Sequence, residues 1–216
     1  ASTSPAIPTA SPVVSKSTVQ PSSDKAPKIP KLWTAIRKSL YPQAAGLTGV
    51  DAYALDIYPG ENLVTFNTDT PDTLTVIGST AGRTFYACDF RGNDYSKLYS
   101  LERYENNLYT IDRITAAATL IGPSVPVEGE KWTGLTSSVD GVLYASSANV
   151  PDGSTLYTIN PVTGAATIIG PITNTPCIID IAMNPSGDLY GVDICSDVLV
   201  QINPRTAEGT IIGSIG

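Results

Sequence analysis

At 216 residues, 42% hydrophobic and 15% charged, the chain has room for one globular body and an appendage. It contains no histidine, which excludes Ser-His and Cys-His nucleophile systems and every histidine metal site. The formal net charge of −7 excludes a basic body built to release counterions from nucleic acid.

The charge is unevenly placed. Residues 1–45 carry Lys16, Lys25, Lys28, Lys31, Arg37 and Lys38 against Asp24 alone, a local charge of +5; the remainder, with 7 basic and 19 acidic residues, carries −12. A cationic arm on an anionic body is an interaction signal. Residues 1–30 hold 6 Pro, 7 Ser and 3 Thr with almost nothing large and apolar, so this stretch reads as an extended arm. The opening Ala-Ser-Thr-Ser-Pro, without Met, reads as a processed, secreted product, and no apolar run is long enough to span a bilayer.

Next comes PKLWTAIRKSLYP. Leu32, Ile36 and Leu40 recur every four residues beside Trp33, which predicts a short helix over about 31–41 between Pro30 and Pro42. The helix either plugs its own domain or docks on another subunit. The interaction candidates of the arm are therefore Lys25, Lys28, Lys31, Trp33, Ile36, Arg37, Lys38 and Leu40.

From residue 46 one unit repeats. LYTIDRITAAATLIG (108–122) returns as LYTINPVTGAATIIG (156–170), as LVQINPRTAEGTIIG (199–213) and, more loosely, as LVTFNTDTPDTLTVIG (63–78). The Asx residues Asn67, Asp112, Asn160 and Asn203 are 45, 48 and 43 apart, each four residues after a Leu and three before a Thr. Every copy closes on an Ile-Gly pair, at Gly78, Gly122, Gly170 and Gly213. A period near 45 built from strand-like segments predicts an all-β propeller of about four four-stranded blades, with repeats at about 46–80, 81–130, 131–177 and 178–216. The Asn-Pro-x-Thr-Gly element predicts a side-chain-capped turn, with Gly164 at positive φ. The first copy lacks a clear inner strand before Tyr53. The blades then close imperfectly, belong to a larger ring, or take a strand from elsewhere, with the arm as the obvious donor.

These LYxIxPxTGxxTxIG blades resemble the PQQ-like and YVTN-type β-propeller repeats of secreted bacterial surface proteins, over about 46–216. The resemblance implies the fold and leaves the activity open among scaffolds, binding modules and some enzymes. The repeats hold no counterpart of the cofactor-stacking tryptophans of quinoproteins, so no cofactor is implied.

Six residues or residue groups invite a chemical reading. Cys177 and Cys195 flank the IIDIAMNPSGDLYGVDI hairpin at nearly opposed positions, which predicts a disulfide and an oxidising compartment. Cys88 is left as a buried free thiol. Asp89, Asn93 and Asp94 crowd one hairpin like calcium ligands, but they lack the alternation and closing Glu of a calcium loop, so a polar turn is the plainer reading. Asp193, Asp197 and Asp180 form a second acidic group, read first as surface charge and only then as acid–base machinery. Tyr53, Tyr99, Tyr144 and Tyr190 recur at one position, which suits blade-to-blade packing, and Trp132 is a candidate binding aromatic for which packing is again the plainer reading.

The sequence thus predicts no catalytic, metal or cofactor-binding residue. It points to a non-catalytic, secreted or cell-surface structural module that self-assembles as a filament or surface layer through its arm. The alternatives are a glycan- or protein-binding adhesion propeller and a His-independent glycan-active enzyme.

Overall fold

The computed structural model describes residues 49–57 and 60–216. The arm, the helix over 31–41 and the interaction candidates Lys25, Lys28, Lys31, Trp33, Ile36, Arg37, Lys38 and Leu40 lie outside the described residues.

The body is a β-propeller of four antiparallel sheets in chain order. Blade 1 contains β1 (Asp51–Asp56), β2 (Asn62–Asn67) and β3 (Thr75–Ser79). Blade 2 contains β4 (Phe85–Arg91), β5 (Asp94–Glu102), β6 (Asn107–Asp112) and β7 (Ala118–Pro123). Blade 3 contains β8 (Lys131–Ser137), β9 (Leu143–Asn149), β10 (Gly153–Ile159) and β11 (Ala166–Pro171). Blade 4 contains β12 (Ile178–Met183), β13 (Leu189–Asp193), β14 (Val198–Ile202) and β15 (Gly209–Ser214). Each sheet is an up-and-down meander, which short turns between sequential strands produce directly. Among the described residues blade 1 has three strands, and its β1 matches the second strand of the other blades.

The repeat motif builds one turn three times over. In blade 2 the Asp112 Oδ1 accepts the N–H groups of Ile114 and Thr115 at 2.9 and 2.8 Å. Asn160 does the same for Val162 and Thr163, and Asn203 for Arg205. One residue after the Thr, the chain passes through the left-handed region at Ala116 (φ 60), Gly164 (φ 81) and Ala207 (φ 60), and each of these residues donates its N–H to the Asx carbonyl at 2.9 Å. Blade 1 departs from this: Pro71 follows the Thr where the other blades have their left-handed residue, and proline has neither the N–H nor access to positive φ.

The core lies between blades, not within them. The face each blade turns toward its successor supplies a Tyr and a Leu, and the successor's opposing face supplies the rest. Leu63, with Tyr53 and Leu55, packs on Phe85, Leu98, Tyr109 and Ile111 of blade 2. Tyr99, Leu101 and Leu108 pack on Trp132, Leu135, Leu143 and Tyr157 of blade 3. Leu156, with Tyr144, packs on Ile178, Ile181, Leu189, Val200 and Ile202 of blade 4. The buried leucines contribute roughly 2 kcal/mol each relative to exposure.

The Ile-Gly pair serves the same contact. A Cβ built on Gly78 would lie 3.1 Å from the Thr115 carbonyl oxygen, and one on Gly122 would lie 2.3 Å from that of Thr163. Glycine is what lets the next blade's turn approach this closely. The Cys177–Cys195 disulfide closes blade 4, with Cα atoms 5.6 Å apart.

Two measurements test this architecture. Gly122→Ala is expected to lower stability by about 2–3 kcal/mol in chemical denaturation, because the methyl group meets fixed backbone. The Cys177→Ala/Cys195→Ala pair is expected to lose about 3 kcal/mol, the value for a loop of this length.

Candidate functional site

The four blades converge on an axial cleft of about 430 Å³. Strands β1, β4, β8 and β12 line it, through Tyr53, Leu55, Cys88, Asp89, Thr136 and Asp180 among others, with no Lys or Arg in the lining among the described residues. Two carboxylates thus face one concavity without a cation among the described residues.

Asp89 sits near the end of β4 and reaches across to blade 3. One oxygen accepts the Thr136 hydroxyl at 3.0 Å and the Ser137 N–H at 2.9 Å; the other accepts its neighbour Phe90 N–H at 2.7 Å. Burial pushes its carboxyl above the ordinary range, and these three donors pull it partly back. Asp180, on β12, accepts only the N–H of Ile181 among the described residues, at 2.8 Å. Its carboxyl is raised by burial first and by the charge of Asp89 second, with the Ile181 N–H opposing. Cys88 is the free cysteine; it packs against the cluster between blades 1 and 2. Burial, then the charges of Asp89 and Asp180, push its thiol up to about 12, which keeps it protonated and poorly nucleophilic at neutral pH.

The remaining sequence-predicted residues fall elsewhere. Trp132 is completely buried: its ring meets Tyr157 edge-on at 4.9 Å, and its Nε1 donates to the Ser124 carbonyl at 2.8 Å. No face of that indole is open to a sugar, which leaves packing as its place in this structure. Of the repeat-phased tyrosines, Tyr53, Tyr99 and Tyr144 serve packing between blades, with Tyr53 edge-on to Phe90 of blade 2 at 5.4 Å. Asp89, Asn93 and Asp94 do not converge, because Asp89 turns toward blade 3 while Asp94 stays at the exposed hairpin tip accepting the Ser96 N–H. Among the described residues no group of three or more His, Cys, Asp or Glu is placed to hold a metal ion.

Asp193 shows why an acidic residue beside a cysteine is a poor guide to catalysis. It is wholly buried, and it accepts the N–H groups of Cys177 at 2.9 Å, Cys195 at 3.0 Å and Ser196 at 2.8 Å. Both disulfide half-residues hang from this one carboxylate. Sequence reasoning missed two further arrangements. One is the Asp89–Thr136–Ser137 bridge between blades. The other is Glu130, which accepts hydrogen bonds from Ser147, Thr155 and Tyr157.

The raised carboxyl of Asp180 has a pH consequence. Its folded-state value exceeds its unfolded one, so it weakens folding as pH rises through that interval and not below it. Asp180→Asn keeps an oxygen for the Ile181 N–H and removes the charge facing Asp89. The variant is expected to melt above the parent at pH 7, with the gap closing near pH 3, in thermal melts across that range.

The sequence of residues 59–215 matches the family described as a repeat of unknown function, DUF6923. A comparison with curated proteins finds no match. Among solved structures, the chain is similar to nidogen in its complex with laminin, with a TM-score of 0.56 and 11% identity, covering 77% of this chain and 62% of that one. It is similar to virginiamycin B lyase from Staphylococcus aureus, with a TM-score of 0.52 and 12% identity, covering 79% and 55%. It is also similar to the calcium-binding protein regucalcin from Agrobacterium tumefaciens, with a TM-score of 0.50 and 18% identity, covering 74% and 52%. These likenesses share the propeller fold, and the chain spans between half and two thirds of the length of each. With its matched stretch covering well over half of its residues, the chain belongs to the DUF6923 repeat family.

Proposed function

We propose that this protein is a non-catalytic, secreted or cell-surface interaction module that assembles with copies of itself through its cationic N-terminal arm. The observation that carries the proposal is blade 1, where β1 has a single strand partner among the described residues. The other three blades have a further strand on that side, next to the axis. An edge of this kind accepts an extended segment by main-chain pairing. The arm, proline-rich and extended in composition, supplies the segment, and its charge of +5 against −12 supplies the attraction.

The chemistry of the axial cleft supports a non-catalytic role. Asp89 is occupied by three donors, the Cys88 thiol stays protonated, and the chain has no histidine to relay a proton. The disulfide suits an oxidising compartment, and among the described residues no helix is long and apolar enough to cross a membrane. The resemblance of the repeats to YVTN-type blades of bacterial surface proteins fits the same location.

Deleting residues 1–45 is expected to leave a folded body that no longer associates, as read by sedimentation velocity and electron microscopy. The intact chain's assemblies are expected to loosen between 0.1 and 1 M salt, roughly as exposed opposite charges are screened. A truncated body that assembles as well as the intact chain overturns the proposal. A monomeric intact chain that binds polysaccharide instead moves the reading to an adhesion propeller.

A further inference from the structure

Four blades make three inter-blade cores, which leaves two faces over, one on blade 1 and one on blade 4. The leucine that opens the repeat is completely buried in blades 1, 2 and 3, as Leu63, Leu108 and Leu156, whereas Leu199 in blade 4 is only half-buried. The isoleucine before each closing glycine is partly buried against a core cluster at Ile77, Ile121 and Ile169, whereas Ile212 is 54% exposed. Around Leu199 lies an open, largely apolar recess of about 110 Å³, lined by Tyr190, Val192, Asp180 and Ala182.

The closing glycine says what belongs there. A Cβ on Gly78, Gly122 or Gly170 would lie 3.1, 2.3 or 3.6 Å from the carbonyl oxygen of Thr115, Thr163 or Thr206, in the turn of the following blade. A Cβ on Gly213 would meet nothing within 4 Å among the described residues. Blade 4 therefore carries the full set of groups that receive a successor, namely Tyr190, Leu199, Ile212 and Gly213, with no successor turn against them among the described residues.

Blade 1 is not that successor, in this copy or in another. The receiving glycine fits a turn whose residue after the Thr is left-handed and donates its N–H to the Asx carbonyl, as Ala116, Gly164 and Ala207 do. Blade 1 has Pro71 at that position, which can do neither. In a second copy, the matching faces of blades 2, 3 and 4 are already covered by the blades before them.

We propose that the open face of blade 4 is a docking surface for one further blade of this repeat, one that carries an Asx-x-x-Thr-(Ala/Gly) turn and seats it over Gly213. The three existing junctions are the template, and the fourth continues them. The proposal does not depend on the role of the arm.

The test appends a second copy of residues 174–216 after Gly216, keeping the spacing between Gly170 and Gly213, and compares Gly213→Val in the native and extended chains. In the unextended 216-residue chain the substitution is expected to leave the melting temperature unchanged, because the valine meets open space among the described residues. In the extended chain it is expected to lower the melting temperature by about 5 °C or more and to make the added block sensitive to limited proteolysis. A Gly213→Val that is silent in both chains, or an added block that is digested as readily as unfolded peptide without any substitution, overturns the proposal. So does a native chain that is dimeric and is dissociated by Gly213→Val, since a second copy would then be the occupant.

Discussion

The contact of one blade with the next is the constraint on which this molecule depends. A four-stranded meander has two apolar faces and cannot hide either by itself. Here each buried cluster draws its members from two sheets: Leu108 needs Tyr157, and Leu156 needs Val200. The consequence is a stack with nearest-neighbour energetics, in which each blade is stabilised by those beside it. The strands accordingly read as apolar or small on both faces, a pattern that belongs to sheets covered twice.

The repeat motif is a description of that contact. The Leu and Tyr of LYTI point to opposite sides of the blade, one toward the successor and one toward the predecessor, because side chains alternate along a strand. The Asx and Thr cap the turn that the predecessor's glycine receives, with the Thr115, Thr163 and Thr206 hydroxyls each accepting an N–H two residues on, at 3.3 to 3.4 Å. Ala116 and Ala207 tolerate positive φ in this turn, at a conformational cost of about 1 kcal/mol each, because their methyl groups are fully buried against the preceding blade. At the three junctions the residues that recur are thus used in holding blades together. That is why the motif specifies the fold so well and carries no information about a substrate.

The same distinction explains which features were legible in the sequence. The period, the strands of blade 4 and the pairing of Cys177 with Cys195 follow from local spacing, and the structure has them where spacing put them. Trp132 was harder to place, since a strand sequence does not say whether a residue near its start is open to solvent or, as here, enclosed between Tyr157 and Ser124. Asp193 has the look of a free acid at a strand end, and nothing local reveals that three N–H groups converge on it once the disulfide loop folds back. The Asp89–Thr136 bridge spans 47 residues of sequence, a separation at which only the register of whole blades brings two side chains together. Contacts within a repeat could be read; contacts between different positions of neighbouring repeats could not.

The two ends of the stack are chemically unlike, and the difference has a direction. In a solenoid or propeller array the first and last units depart from consensus because one of their faces has no repeat to meet. Blade 1 departs in this way on the side away from blade 2: Pro71 replaces the left-handed turn residue, and Phe66 is half-buried where Ile111, Ile159 and Ile202 are enclosed. Blade 4 does not depart. Its Leu199, Ile212 and Gly213 repeat the consensus of the interior blades although each is open to solvent or to empty space among the described residues. A residue kept apolar, and a glycine kept free of a side chain, are both disfavoured at an exposed strand position. Their joint presence on one face is what an interior blade looks like, and it makes blade 1 the sole specialised end of the array described here.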